Sequence, residues 1–408
     1  VRSAGYNICL RSGFALPTAV AASKEIIMKR SLLASMRRVN RLMGPAKMTR
    51  ATRSFQSAMG GLMVDTAMAP LAALGPPPPT KRRKAPVPKV GRTLGAVLKQ
   101  MRAAQSLMPG AMGGSTGRGV APVVPVGAQY LSRKHRSATG SRNYQLYLPA
   151  SQPTQPKGLI LMLHGCNQTP DDFAVGTHMN ALAEKNGFAV AWPAQTGRHN
   201  AASCWNWFKP GNQRRGAGEP ALLAALARKL AKEFGLGRDA TFVAGLSAGG
   251  AMAAILADVY PDVFSAAGVH SGLARGAARD VMSAMSAMRS GGDTGPAAAV
   301  ATSAHTVRRI VFHGDNDRTV HPSNAALIVA AAMGGAAVPK RTGQSTVRGR
   351  GYARSVFAPT DSVGQLELWM LDGAGHAWSG GRAAGSYTDT KGPDASAQMI
   401  RFFLGKSA

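Results

Sequence analysis

The chain has 408 residues, 45% of them hydrophobic, with a formal net charge of +30. Such an apolar fraction supports a substantial core and excludes disorder throughout, and the lack of any run of eighteen apolar residues argues against a membrane-spanning helix. The charge suggests a nucleic-acid binder, but residues 1–145 carry 24 Lys and Arg against Glu25 and Asp65, while the remainder carries 25 against 17 acids.

The basic excess therefore belongs to an N-terminal appendage. Arg11–Ser23 has basic, apolar and A-x-A features of a secretory signal, although Pro17 interrupts its short apolar run; a start at Met28 leaves no such segment. Met28–Met43 reads as an amphipathic helix, with Met28, Leu32, Met36, Val39 and Met43 opposite Arg30, Arg37 and Arg41. It suits an anionic or hydrophobic surface, or a place against its own domain. Gly75–Lys89 ("GPPPPTKRRKAPVPK") is an extended, solvated linker with a polybasic core. A helical stretch follows at Leu94–Met108. The G-x-S-x-G at Gly113–Gly117 has no strand before it and no helical pattern after it, so Ser115 is a decoy among 48 glycines.

These features predict a basic, partly disordered extension over 1–127 and one catalytic domain over 128–408. There, apolar runs alternate with helical patterns. Tyr144–Pro149, Gly158–Gly165, Gly187–Gln195, Ala240–Gly245, Ser265–Gly272, Arg308–Gly314 and Gln365–Gly373 read as strands. Asp171–Asn186, Pro220–Gly235 and Ala248–Tyr260 read as helices, the second with Pro at its start and Gly past its end. Residues 273–305 suit a mobile helical lid. Alternating strands and helices predict an α/β fold with a mainly parallel sheet covered on both faces.

Ser247 has the setting that Ser115 lacks: an apolar strand runs into Gly245, and a helix starts just after the serine. This is the arrangement of a nucleophile elbow. A serine hydroxyl needs a base, and the base an orienting carboxylate. Asp317 follows the strand "RRIVFHG", and His376 follows "QLELWMLDG". All three stand just beyond strand C-termini, where open α/β sheets build their sites. Asp315 is the alternative orienter, and His164, His313 and His321 are alternative histidines. His135, His178, His199, His270 and His305 have less favourable settings. The oxyanion of acyl transfer needs prepositioned donors; the expected ones are the N–H of Ala248 and that of Cys166. No H-E-x-x-H or C-x-x-C spacing occurs, so neither a metal nor another cofactor is expected.

Six ordered motifs, "LHGCNQ", "CWNWF", "GLSAGGAM", "HGDNDRTV", "GHAWSGG" and "GSYTDTKGPDAS", resemble the esterase family of polyhydroxybutyrate (PHB) depolymerases, whose relatives include feruloyl and acetylxylan esterases. The likeness covers about residues 140–405. It implies an α/β-hydrolase fold, a triad of Ser247, Asp317 and His376, and hydrolysis of poly- or oligo-3-hydroxybutyrate or related esters. It also points to a disulfide between Cys166 and Cys204. Trp205, Trp207 and Trp378 are expected to line the substrate pocket, with at least one of them in the core. His164 is placed on the substrate side too, although its H-G pair at a strand end favours fixing the loop.

The chain ends soon after the last motif and carries the basic extension, two departures that leave soluble oligomers, granules or small aryl esters as substrates. The extension is expected to contact a polymer granule or anionic surface, and no specific nucleic acid. The cysteine pair and the family point to an extracellular or periplasmic location; a start at Met28 points to a cytoplasmic, granule-associated one. A different class of function, a basic binding protein on a hydrolase-like scaffold, is disfavoured by the retention of all three triad members.

Overall fold

The computed structural model describes residues 121–292, 305–335, 337–359 and 364–406. The helix at 28–43, the linker at 75–89, Ser115, the surface contact expected of the extension and part of the expected lid lie outside them.

Ten strands form one sheet in the order β1-β2-β4-β3-β5-β6-β7-β10-β9-β8. They are β1 (Gln129–Ser137), β2 (Gly140–Leu148), β3 (Gly158–Leu163), β4 (Phe188–Pro193), β5 (Thr241–Leu246), β6 (Ala266–His270), β7 (Arg308–Gly314), β8 (Arg341–Val347), β9 (Arg350–Phe357) and β10 (Leu366–Leu371). The run β4-β3-β5-β6-β7-β10 is parallel throughout, and the antiparallel pairs β1-β2 and β8-β9 flank it. The central strands are buried along their whole length because helices cover both faces.

Side chains alternate between two cores. Leu159, Leu161, Leu163 and Val243 face one, packed by helices α3 (Gly218–Glu233) and α4 (Ala248–Val259). Ile160, Met162, Phe242 and Ala244 face the other, packed by α1 (Pro170–Thr177), α2 (Met179–Asn186) and α7 (Ala395–Phe403). Helices α5 (Val281–Ser290) and α6 (Ser323–Met333) join the first core through Ala284, Ala287 and Ile328. Among the described residues, no helix is long and apolar enough to cross a membrane.

Three differences from the sequence reading stand out. The helix expected over Asp171–Asn186 is two helices, broken at His178 with φ 56°. The break lets the chain turn where Gly176 meets Gly385: a Cβ on Gly176 would lie 2.8 Å from the Thr388 side chain. Strand β1 and the β8-β9 hairpin are additional elements. The hairpin turns on Arg348 and Gly349, both at positive φ, as a two-residue turn requires. Finally, α5 is tied down: its Met288 carbonyl accepts the His321 N–H, and its Ala287 carbonyl accepts Asn324 Nδ2.

Candidate active site

Ser247 follows β5 with φ 56° and ψ −118°, a conformation outside the helical and extended regions. The turn is held from both sides. The Ser247 N–H donates to the His270 carbonyl at 2.9 Å, and its carbonyl accepts the Ala251 N–H at 2.8 Å. Close approach explains the glycines around it. A Cβ on Gly245 would lie 2.4 Å from the Gly249 backbone, and one on Gly249 only 2.0 Å from the Leu163 carbonyl oxygen. The elbow therefore meets the end of β3 backbone to backbone, which only glycine permits. The N-terminus of α4 directs its positive end at the serine.

The other two predicted members are joined. His376 Nδ1 donates to Asp317 Oδ2 at 2.7 Å. A carboxylate only accepts, so the proton sits on Nδ1 and the Nε2 lone pair is left to accept a proton from an attacking hydroxyl. The other carboxylate oxygen, Oδ1, accepts the N–H groups of Thr319 (2.9 Å) and Val320 (2.8 Å). Burial alone would raise the Asp317 pKa. The hydrogen bond and charge of His376, with the Val320 N–H and His313, outweigh it and hold the carboxyl below its ordinary value. Asp315, the alternative orienter, instead accepts the Gly373 N–H at 2.6 Å. No hydrogen bond joins Ser247 to His376 here; such contacts often tighten only around bound substrate. The sheet places both on one rim, beyond the C-terminal ends of the parallel strands β5 and β10.

Cys166 and Cys204 are joined by a disulfide. It ties the loop after β3 to the "CWNWF" loop. Gly165 lies beside the elbow, where an added Cβ would be 3.6 Å from the Ser247 Cβ. Among the described residues, neither the Cys166 N–H nor the Ala248 N–H donates to a protein acceptor. Gly165 is clamped through both its N–H and its carbonyl. Gln168 Oε1 accepts the Gly165 N–H at 2.9 Å, and His164 Nδ1 donates to the Gly165 carbonyl at 2.8 Å. His164 Nε2 accepts the Gln195 N–H, which fixes that tautomer.

His164 is thus fully buried and engaged on both nitrogens, which places it to fix the loop. Trp378 is fully buried too. It lies in the second core, edge-on to Phe173 and stacked near His270, with its indole N–H on Ser396 Oγ. Trp205 and Trp207 are buried in the first core, Trp205 against the His164 ring.

The sequence reading missed a buried polar network behind these loops. Glu219 accepts from Arg142, Gln195 and Asn206, the last through both its side chain and its backbone N–H. Gln195 Nε2 also donates to the Cys204 carbonyl. A carboxylate and a guanidinium are costly to bury unless every lone pair and proton is used; here they hold the aromatic loop. Nothing in the spacing of positions 142, 195, 206 and 219 announces this.

Burial lowers the His164 pKa to about 4 and that of His270 to about 3. Both values lie below the ordinary 6.5, so the unfolded chain binds more protons in between. Their contribution is complete above pH 6.5 and is lost as pH falls through the folded values. Calorimetry is expected to show a lower Tm at pH 4 than at pH 7, with His164 alone accounting for about 3 kcal/mol. An unchanged Tm contradicts the assignment of these rings as buried and neutral.

The family model Esterase PHB depolymerase matches residues 142–345. Poly(3-hydroxyalkanoate) depolymerase C of Paucimonas lemoignei is 28% identical over 60% of this chain and 61% of its own length. Feruloyl esterase B of Neurospora crassa is 31% identical over 36% of this chain and 49% of its own. The chain therefore spans less than two thirds of the length of these relatives. An acetyl xylan esterase from Aspergillus awamori shares the fold, with a TM-score of 0.51, 23% identity, and coverage of 61% of this chain and 93% of that one. With its α/β-hydrolase architecture and half of its length matched by that model, this chain belongs to the PHB depolymerase family of esterases.

Proposed function

We propose that the chain is a serine hydrolase of carboxylic esters acting on poly- or oligo-3-hydroxybutyrate, with residues 128–408 as the catalytic domain and 1–127 as an appendage. The observation that carries the mechanism is the Asp317–His376 hydrogen bond at the same sheet rim as a strained Ser247. His376 Nε2 takes the Ser247 proton as Oγ attacks the ester carbonyl. The N–H groups of Cys166 and Ala248 receive the developing oxyanion. The collapsing intermediate expels the alcohol, which takes the proton from Nε2 and leaves an acyl-serine. Water, activated by the same nitrogen, then releases the acid. No cofactor enters these steps.

The substrate choice is supported by the name of the Paucimonas relative. The names of the Neurospora and Aspergillus proteins support a second reading, feruloyl or acetyl groups on polysaccharide. Wild type and Ser247→Ala are to be assayed side by side on 3-hydroxybutyrate oligomers, feruloyl esters and acetylated xylan. Serine-dependent cleavage of the oligomers is expected; cleavage of the other esters alone transfers the assignment to them.

A further inference from the structure

The loop at 380–392 presents a half-exposed aromatic side chain. Tyr387 has φ 51°, a left-handed conformation that is costly for a bulky L residue. It is 45% exposed, and among the described residues its hydroxyl has no hydrogen-bond partner and its ring no ring neighbour. A tyrosine kept for stability would bury its ring.

Both flanks of Tyr387 are held firmly. Its carbonyl accepts the Trp378 N–H at 2.7 Å, one hydrogen bond from the strand that begins two residues after His376. On one side, the Ser386 N–H and hydroxyl donate to the two carboxylate oxygens of Asp172. The Ser386 carbonyl accepts Gln168 Nε2 at 3.0 Å, and the same Gln168 holds the Gly165 N–H. On the other side, Thr388 pairs with Trp378, and its hydroxyl donates to the Gly385 carbonyl at 2.8 Å. Tyr387 is thus bonded into both the histidine loop and the loop of the proposed oxyanion donor. Strain that the surroundings over-determine in this way marks a working position.

We infer that Tyr387 is a substrate subsite at the rim, an aromatic platform for the ester chain flanking the scissile bond. This rests on the polyester reading above. A hydroxyalkanoate chain is neutral and repeats an apolar carbon segment and an ester carbonyl. A tyrosine offers an apolar face and one O–H donor, with no charge to desolvate.

The test compares wild type with Tyr387→Gly and Tyr387→Phe on methyl 3-hydroxybutyrate, a single repeat, and on the 3-hydroxybutyrate tetramer. Glycine relieves the positive φ, so Tyr387→Gly is expected to raise Tm. It should leave single-repeat turnover within about twofold and lower kcat/KM for the tetramer by at least about tenfold. Tyr387→Phe keeps the platform and should stay within about threefold of wild type on the tetramer. Equal losses on both substrates, or an unchanged tetramer rate in Tyr387→Gly, overturns the subsite while leaving the depolymerase reading intact. A wild type that cleaves no oligomer overturns that reading, and the subsite with it.

Discussion

Ser247→Ala is expected to lower kcat by roughly a millionfold while leaving the folded protein and its substrate affinity nearly unchanged. The hydroxyl is removed, but what shapes the turn remains: the backbone bonds to His270 and Ala251 and the close packing of Gly245 and Gly249. Alanine is strained at φ 56° much as serine is, so Tm should move little. A residual rate of about 10³–10⁴ over water is expected from the oxyanion donors and substrate positioning. Steady-state kinetics on a soluble ester, with Ser115→Ala as control, checks this. A loss of less than about tenfold means that another group attacks the ester, and the proposed mechanism fails.

The part of the fold that builds this turn is also the part that the sequence announces. Strands β3, β5, β7 and β10 are apolar runs because a parallel sheet covered on both faces buries both sides of each strand. Each ends in a loop that carries a member of the proposed triad or a proposed oxyanion donor, so the rim could be read before the fold. The flanks behave differently. Strand β1 reads "QYLSRKHRS", and β8 is exposed along all seven residues. An edge exposed to solvent imposes no apolar alternation, and charge there protects against aggregation.

The break at His178 was hidden for another reason: the close packing beside it joins Gly176 to Gly385, some two hundred residues away. Asp317 is the orienter expected from the sequence, and a separation of two residues leaves Asp315 open beside it. The support for Asp317 is which N–H groups each carboxylate meets, Gly373 for one and the His376 ring with the Val320 turn for the other. The clamp on Gly165 belongs to this second kind. Gln168, Gln195 and Glu219 become meaningful only once three loops converge.

Asp317→Asn is expected to cost about 10⁴ in kcat, the loss found when the orienting carboxylate of a triad becomes an amide. The direction of the amide can be derived from the site. Oδ1 of Asp317 accepts two backbone N–H groups, from Thr319 and Val320. An asparagine will keep its carbonyl oxygen there, because turning its NH₂ toward two donors would leave both unpaired in a buried site. The NH₂ then faces His376, whose Nδ1 must become the acceptor. The proton moves to Nε2, the nitrogen that has to receive the Ser247 proton. The variant thus places a neutral imidazole in the unproductive tautomer, and charge loss compounds the defect because the imidazolium formed during attack has no counterion. Asp315→Asn, which touches only the Gly373 turn, should retain kcat within about threefold. Kinetics on both variants, with the ring nitrogens of His376 assigned by ¹⁵N NMR, tests the argument. An Asp317→Asn enzyme with a proton still on Nδ1 refutes the tautomer account, and equal losses in the two variants refute the choice of Asp317.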